Sequence, residues 1–326
     1  AKKIQSPERL RLLLVLTVAD IKGVGPEIWN DWKGSLISEL FIKTLGVLNM
    51  VEPKLKHLAS VNNIKQNLME HLSKISLKKN DAKEYCNAFY KNYWQIFNLP
   101  KMIQHSDIFT EMKRETKKFT IHIFNEIQSE ATELLVIAPD HHGLFSIISG
   151  LVASSGYDVV NAKIITRSDG YALDTFFIQN KERKVIADEY LKKRLIKIMH
   201  KGLEGNFNIE DALNSRWKEI PARFRAVKAP ARVIIDNKTS DSYTILEVNC
   251  KNAPGVLYRI TKVIAELGLQ INTASVSTYG DRVVDIFYVK NMFGLKIDDN
   301  LTIKKIKTHI LKILEETDPA NQTMIS

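Results

Sequence analysis

Ser242–Asn291 reads SYTILEVNCKNAPGVLYRITKVIAELGLQINTASVSTYGDRVVDIFYVKN. A β-branched apolar run gives way, at Lys251-Asn252-Ala253-Pro254-Gly255, to apolar residues at helical spacing closed by Gly268. Two more strand-like runs follow, separated by a Gly-Asp turn. The pattern predicts strand, turn, helix, strand, hairpin, strand. That order suits a small ferredoxin-like sandwich.

The same pattern occurs upstream, in ELLVIAPDHHGLFSIISGLVASSGYDVVNAKIITRSDGYALDTFFIQN (Glu133–Asn180). Gly143, Gly156, Ala162 and Thr166 recur as Gly255, Gly268, Ala274 and Thr278, each 112 positions later. Asp174 and Phe176 recur as Asp285 and Phe287 at an offset of 111, so one residue is lost in the hairpin turn. Agreement at six positions with one gap in a turn points to internal duplication. In the first copy, Ser168-Asp169-Gly170 is a tight hairpin turn. Helices are expected over about 183–202 and 303–316. The run ARVIIDN (Ala231–Asn237) is expected to be the last strand of the first copy. No second-copy counterpart is evident in the polar tail.

Residues 1 to about 130 are expected to be helical. Ser6 suits an N-cap, Pro7 the first helical position, and Glu8 the helix dipole. Further helical segments are expected over about 35–48, 53–74, 80–94 and 106–127, with Leu99-Pro100 as punctuation. The chain starts almost inside a helix signal, with no initiating Met and no signal-peptide pattern, and is expected to be part of a longer protein.

Of the 326 residues, 44% are hydrophobic and 26% charged, a globular balance. No apolar run reaches the roughly 18 residues of a membrane span. Cys86 and Cys250 are far apart and lack metal-ligand spacing, which fits a reducing cytoplasm. The net charge of +10 would suit a nucleic-acid partner, but the lysines are dispersed. Solvated helix faces account for them, and neither nucleic acid nor membrane is expected as a partner.

Two places carry chemistry. The first is the turn between first strand and first helix of each copy. Gly143 and Gly255 permit close backbone approach, and the helix N-terminus that follows suits a carboxylate. Asp140 and Asn252 either cap those helices or hold the ammonium or amide of an amino acid. The second is Asp20, an acid in the apolar run that begins near Leu12. It is either a salt-bridge or cap residue or a metal ligand, since a lone buried carboxylate is costly. Tyr90, Tyr93 and Trp94 with Lys91 form an aromatic-basic cluster that fits helix packing equally well. Asp174 and Asp285 read as structural or as contacts between the copies.

The two copies resemble ACT domains, small β-α-β-β-α-β modules that bind amino acids. The family's turn pattern is Asp-x-Pro-Gly-Leu. Here it is Asp140-His141-His142-Gly143-Leu144, with His for Pro, and Asn252-Ala253-Pro254-Gly255-Val256, with Asn for Asp. Together with Leu16-Thr17-Val18-Ala19-Asp20-Ile21, Gly25-Pro26, Trp29-Asn30 and Trp32-Lys33, the whole chain resembles the C-terminal third of the bifunctional uridylyltransferase/uridylyl-removing enzyme family of bacterial nitrogen control.

That resemblance implies an α+β chain. Residues 1–130 would be the helical end of an HD-type phosphohydrolase domain plus linker, 131–238 the first ACT domain and 239–326 the second. It implies amino-acid contacts at Asp140, His142, Gly143, Leu144, Asn252, Pro254, Gly255, Val256 and Asn272. Asp20 matches the final metal ligand of the HD cluster, implying Mg²⁺ or Mn²⁺ in the complete enzyme. The His and His-Asp ligands of that cluster are absent here, and so is the nucleotidyltransferase motif. The chain alone is therefore expected to be inactive. Implied partners are the PII signal protein, UTP and UMP, with L-glutamine as effector. The alternative is a stand-alone ACT regulator that binds an amino acid.

Overall fold

The computed structural model describes residues 7–24, isolated positions between 34 and 44, and residues 56–74, 79–90, 93–125, 131–218, 230–279 and 282–316. Contacts divide the chain into two units, Ala1–Cys86 and Asn87–Ser326. In the first, α1 spans Pro7–Val24 and α2 spans Lys56–Lys74, while α3 (Lys79–Asn87) reaches the boundary. On α2, Leu68 and Leu72 are fully buried, one helical turn apart. The expected helix over 35–48, together with Trp29, Trp32 and Lys33, lies outside the described residues save for isolated positions.

The second unit opens with a short turn of helix, α4 (Tyr93–Ile96), and α5 (Leu99–Arg114). Asn98 caps α5 by accepting from the Lys101 N–H at 3.1 Å, and Pro100 stands in its first turn. Tyr93 and Trp94 are buried here, so these members of the aromatic cluster pack into a core. Within that core His105 is buried beside the Tyr93 hydroxyl at 3.2 Å. Burial, then the charges of Lys101 and Lys163, push its imidazole down to about 3.

Eight strands follow and make one antiparallel sheet. They are β1 (Thr120–Phe124), β2 (Thr132–Pro139), β3 (Asp158–Thr166) and β4 (Tyr171–Gln179), then β5 (Arg232–Asp236), β6 (Thr244–Lys251), β7 (Gln270–Tyr279) and β8 (Arg282–Lys290). Their order is β1-β2-β4-β3-β7-β8-β6-β5, a palindrome of the two copies. At the seam, β3 meets β7 with Ala162 opposite Ala274, the same position in each copy. The duplication thus appears as pseudo-twofold symmetry. Helices α6 (Leu144–Ser154), α7 (Glu189–Leu203), α8 (Ile209–Lys218), α9 (Val256–Glu266) and α10 (Asn300–Glu316) complete the fold. Phe176 and Phe287, repeat equivalents, are both fully buried in one shared core with Ile148, Leu151, Ile260 and Ile264.

Two expectations are corrected. Arg232–Asp236 is not the last strand of the first copy: it pairs with β6, placing Val233 opposite Val248. The corresponding edge of β2 is already taken by β1, whose Ile121 faces Val136. An open strand edge must be covered, and each copy covers it with a strand that precedes the sandwich. β1 in turn falls inside the segment expected to be helical over 106–127; α5 ends at Arg114 and the chain re-enters the sheet. α8 had no sequence expectation at all.

Candidate functional site

The turn from β2 into α6 is built around Gly143, which takes the N-cap position at φ 86° with no side-chain cap on the helix. Left-handed backbone is natural for glycine and costly for residues with a Cβ. Its twin Gly255 caps α9 in the same way at φ 75°. Neither Asp140 nor Asn252 is therefore a helix cap. Asp140 is held from the other side of the turn: its N–H donates to the Gly170 carbonyl at 2.8 Å, and the Thr166 hydroxyl donates to its Oδ2 at 3.1 Å. The carboxylate stays exposed.

A cavity of about 770 Å³ opens at this turn. One wall is the turn and first helical residues, Asp140–Ser146, backed by Thr166 and Asp174. The other wall comes from the second copy, through Ala265 and Leu269–Asn272. His142 crosses between them, with its Nε2 hydrogen-bonded to the Ala265 carbonyl at the end of α9. Asn272 sits where the β7–β8 register slips between Ile271 and Thr273, a bulge that re-aims a side chain. Its Oδ1 is buried and has no hydrogen-bond partner among the described residues. A buried acceptor left this way costs about 1–3 kcal/mol, and a ligand donor would remove that cost.

Asp174 is 2% exposed and lies on the helix-facing side of β4. Burial, and then the nearby charge of Asp140, raise its carboxyl well above the ordinary carboxylate range; a 3.4 Å hydrogen bond from the Ile165 N–H opposes this weakly. The cavity therefore combines one exposed carboxylate, one buried carboxyl, an uncapped helix N-terminus and an unsatisfied amide oxygen. A zwitterion finds opposite charges for both of its ends there.

Of the expected contacts, Asp140, His142, Gly143, Leu144 and Asn272 line this one cavity. Asn252, Pro254, Gly255 and Val256 do not; they belong to the twin turn, which α8 covers at Gly255. Thr166, Asp174 and Ala265 also line the cavity and were missing from the expected site. The repeat had marked Thr166 and Asp174, but a strand residue repeated in both copies reads equally well as structural.

Asp20 lies on α1 with its side chain exposed. The cost of burial thus gives no reason to assign it a ligand. Among the described residues, no group of three or more His, Cys, Asp or Glu side chains could hold a metal ion. A catalytic centre needs about three protein ligands, so the residues present do not by themselves fit one.

Comparison with known proteins agrees with this architecture. Residues 239–316 match the ACR family N-terminal ACT domain. Bifunctional uridylyltransferase/uridylyl-removing enzymes from Gluconobacter oxydans, Rhodospirillum rubrum and Azospirillum brasilense are each 35% identical to this chain. The alignments cover 98%, 97% and 96% of this chain and 34%, 34% and 33% of those enzymes. The chain thus spans about a third of the length of the curated relatives it matches. A solved structure of an unknown protein from Galdieria sulphuraria covers 56% of this chain and 90% of its own, at 15% identity and a TM-score of 0.18, too slight a likeness to argue from. Over nearly its whole length the chain is similar to the C-terminal region of bifunctional uridylyltransferase/uridylyl-removing enzymes.

Proposed function

We propose that the cavity at Asp140–Ser146 binds a free amino acid, L-glutamine, and that this binding regulates the enzyme of which the chain is the C-terminal part. The observation that carries the reading is the meeting, in one cavity, of the Asp140 carboxylate, the uncapped start of α6 and the unsatisfied Asn272 Oδ1. Asp140 would take the α-ammonium and the N–H groups after Gly143 the α-carboxylate. The Asn272 oxygen would accept from a side-chain amide, which glutamate lacks.

In the complete enzyme, glutamine would favour removal of UMP from the PII protein and disfavour its UTP-dependent addition. Such coupling is reciprocal: substrate engagement would change glutamine affinity by the same factor. The helical end of the HD domain plus linker, expected over residues 1–130, would end before β1 at Thr120, with the ACT pair after it and its inner boundary shifted toward Arg232 by the pairing of β5 with β6. Mg²⁺ or Mn²⁺ would be the metal of the complete enzyme. Asp20 alone does not make its site, and no chemical step is derived through it. No helix among the described residues is long and apolar enough to cross a membrane. Cys86 and Cys250 are buried and not joined to each other in a disulfide, which supports a cytoplasmic setting.

Calorimetric titration of the chain with L-glutamine tests this, with glutamate, serine and 2-oxoglutarate as controls. Saturable heat from glutamine alone is expected. Binding of a different amino acid would sink the glutamine assignment while leaving an amino-acid site. Silence from all of them would sink the site.

A further inference from the structure

Pseudo-symmetry should give the tandem a second cavity, built from the Asn252–Gly255 turn on one side and from Ala153, Gly156 and the start of β3 on the other. That place is filled by α8. A Cβ placed on Gly143 would meet nothing nearer than the Ala265 Cβ at 3.9 Å, whereas one on Gly255 would lie 2.5 Å from the Leu213 Cδ1. Leu213 itself is fully buried. The second pair of equivalent glycines agrees. Gly268 has nothing within 4 Å of such a Cβ, but at Gly156 the Arg216 guanidinium Nη1 stands at 2.7 Å.

Arg216 also substitutes for a contact. In the open cavity the Ala265 carbonyl is met by His142 from the turn. At the equivalent Ala153 carbonyl the turn offers Pro254, which has no donor, and Arg216 Nη1 donates instead at 2.8 Å. Glu210, in the first turn of α8, pairs with Lys262 at 3.0 Å and Arg259 at 3.7 Å on α9, fixing the helix in place. The ligand-facing chemistry has diverged as well. β3 has its bulge between Val159 and Asn161, so Val160 stands where Asn272 stands in the other copy. Asn252 replaces the exposed acid, and it is half-buried.

We propose that α8 is a resident plug occupying the second amino-acid position, so that the tandem takes one ligand per chain, at the Asp140 turn. The proposal rests on the reading of the open cavity as an amino-acid site. It makes the sensor single-valued: response to ligand concentration follows one site, without cooperativity between the copies. The plug also gives the unliganded second copy the packing that a ligand would otherwise supply, because Leu213 covers the turn at Gly255 and Arg216 the facing wall at Ala153 and Gly156.

The test is titration of the chain with L-glutamine, combined with hydrogen exchange in its presence and absence. One glutamine per chain is expected, with slowed exchange at 140–146 and 269–272 and none at 252–256. Asp140→Ala should weaken binding by about tenfold or more, and Asn252→Ala should leave it unchanged, each with an unaltered melting temperature. Asp140→Asn provides a milder variant should the alanine variant fold poorly. Two glutamines per chain, or protection at 252–256, would overturn the plug and leave the sensor standing. Binding abolished by Asn252→Ala but retained in Asp140→Ala would do the same. No binding of any amino acid would overturn the reading beneath both.

Discussion

Asp174 and Asp285 hold the same place in the two copies and meet different fates. Asp174 borders an open cavity. Asp285 is fully buried, neither carboxylate oxygen has a partner among the described residues, and burial pushes its carboxyl up to about 8. A carboxyl raised in this way keeps its proton in the folded state after the unfolded chain has released it. Its contribution is therefore fully present below about pH 4 and is lost as pH rises through about 8. Asp285→Asn removes the ionisation while keeping the shape. Relative to the parent, the variant should gain stability progressively between pH 5 and 9, by a few kcal/mol on the order suggested by such a shift, and differ little at pH 4. Urea midpoints across that range would show it. Parallel pH profiles for the two proteins would mean that Asp285 finds a partner or water in solution.

What could be read in advance differs by kind of element. The strand-turn-helix-hairpin core of each copy follows from period-two and helical patterns with glycine at the left-handed turns, all local properties. β1 did not follow, and β5 was read as a strand but given to the wrong copy, because the place of an edge strand of five residues is set by which sheet edge is open, a fact about the whole sheet. α8 was missed for a related reason: its role is set by the twin turn it covers, nearly forty residues away in the chain. The site was half visible for the same reason: Asp140 and Gly143 announce themselves, while of the opposite wall only Asn272 was expected, through the family resemblance, because the rest depends on how the copies pair.

The β3–β4 hairpin that steadies Asp140 depends on an element outside the repeats. Arg167, 2% exposed, binds Asp169 through Nε at 2.9 Å and Nη2 at 2.7 Å and lies over the rings of Phe89 and Phe109 at 4.4 and 4.2 Å. The Ser168 N–H donates to the Ala88 carbonyl at 2.8 Å. Arg167→Ala should cost about 2 kcal/mol through lost packing and pairing, read as a lower melting temperature. Arg167→Lys should restore little, since an ammonium offers neither the planar stack nor the paired donors. Full rescue by lysine would mean that charge alone holds the hairpin.

Across the molecule, the ligand wall is shared between copies, so whatever holds the copies together also shapes the site. The strands contribute one register pair at the seam, Ala162 with Ala274. The helices above the sheet share the junction, and Gly150 on α6 is a point of close approach there. A Cβ there would stand 2.7 Å from both the Tyr258 ring on α9 and the Ile209 side chain on α8. Gly150→Ala sets two effects against each other. Alanine favours the helix by about 1 kcal/mol, while overpacking a buried contact costs about 1–3 kcal/mol. The Tyr258 ring is buried and cannot swing clear, so the clash should win, with a net loss of about 1 kcal/mol. Spreading α6 from α9 would also move Asp140 away from Asn272, so glutamine affinity should fall although neither residue has changed. Chemical denaturation and titration of the same variant separate the two effects. Lower stability with unchanged affinity would mean that the cavity is set by the sheet alone and that the helix layer only supports it.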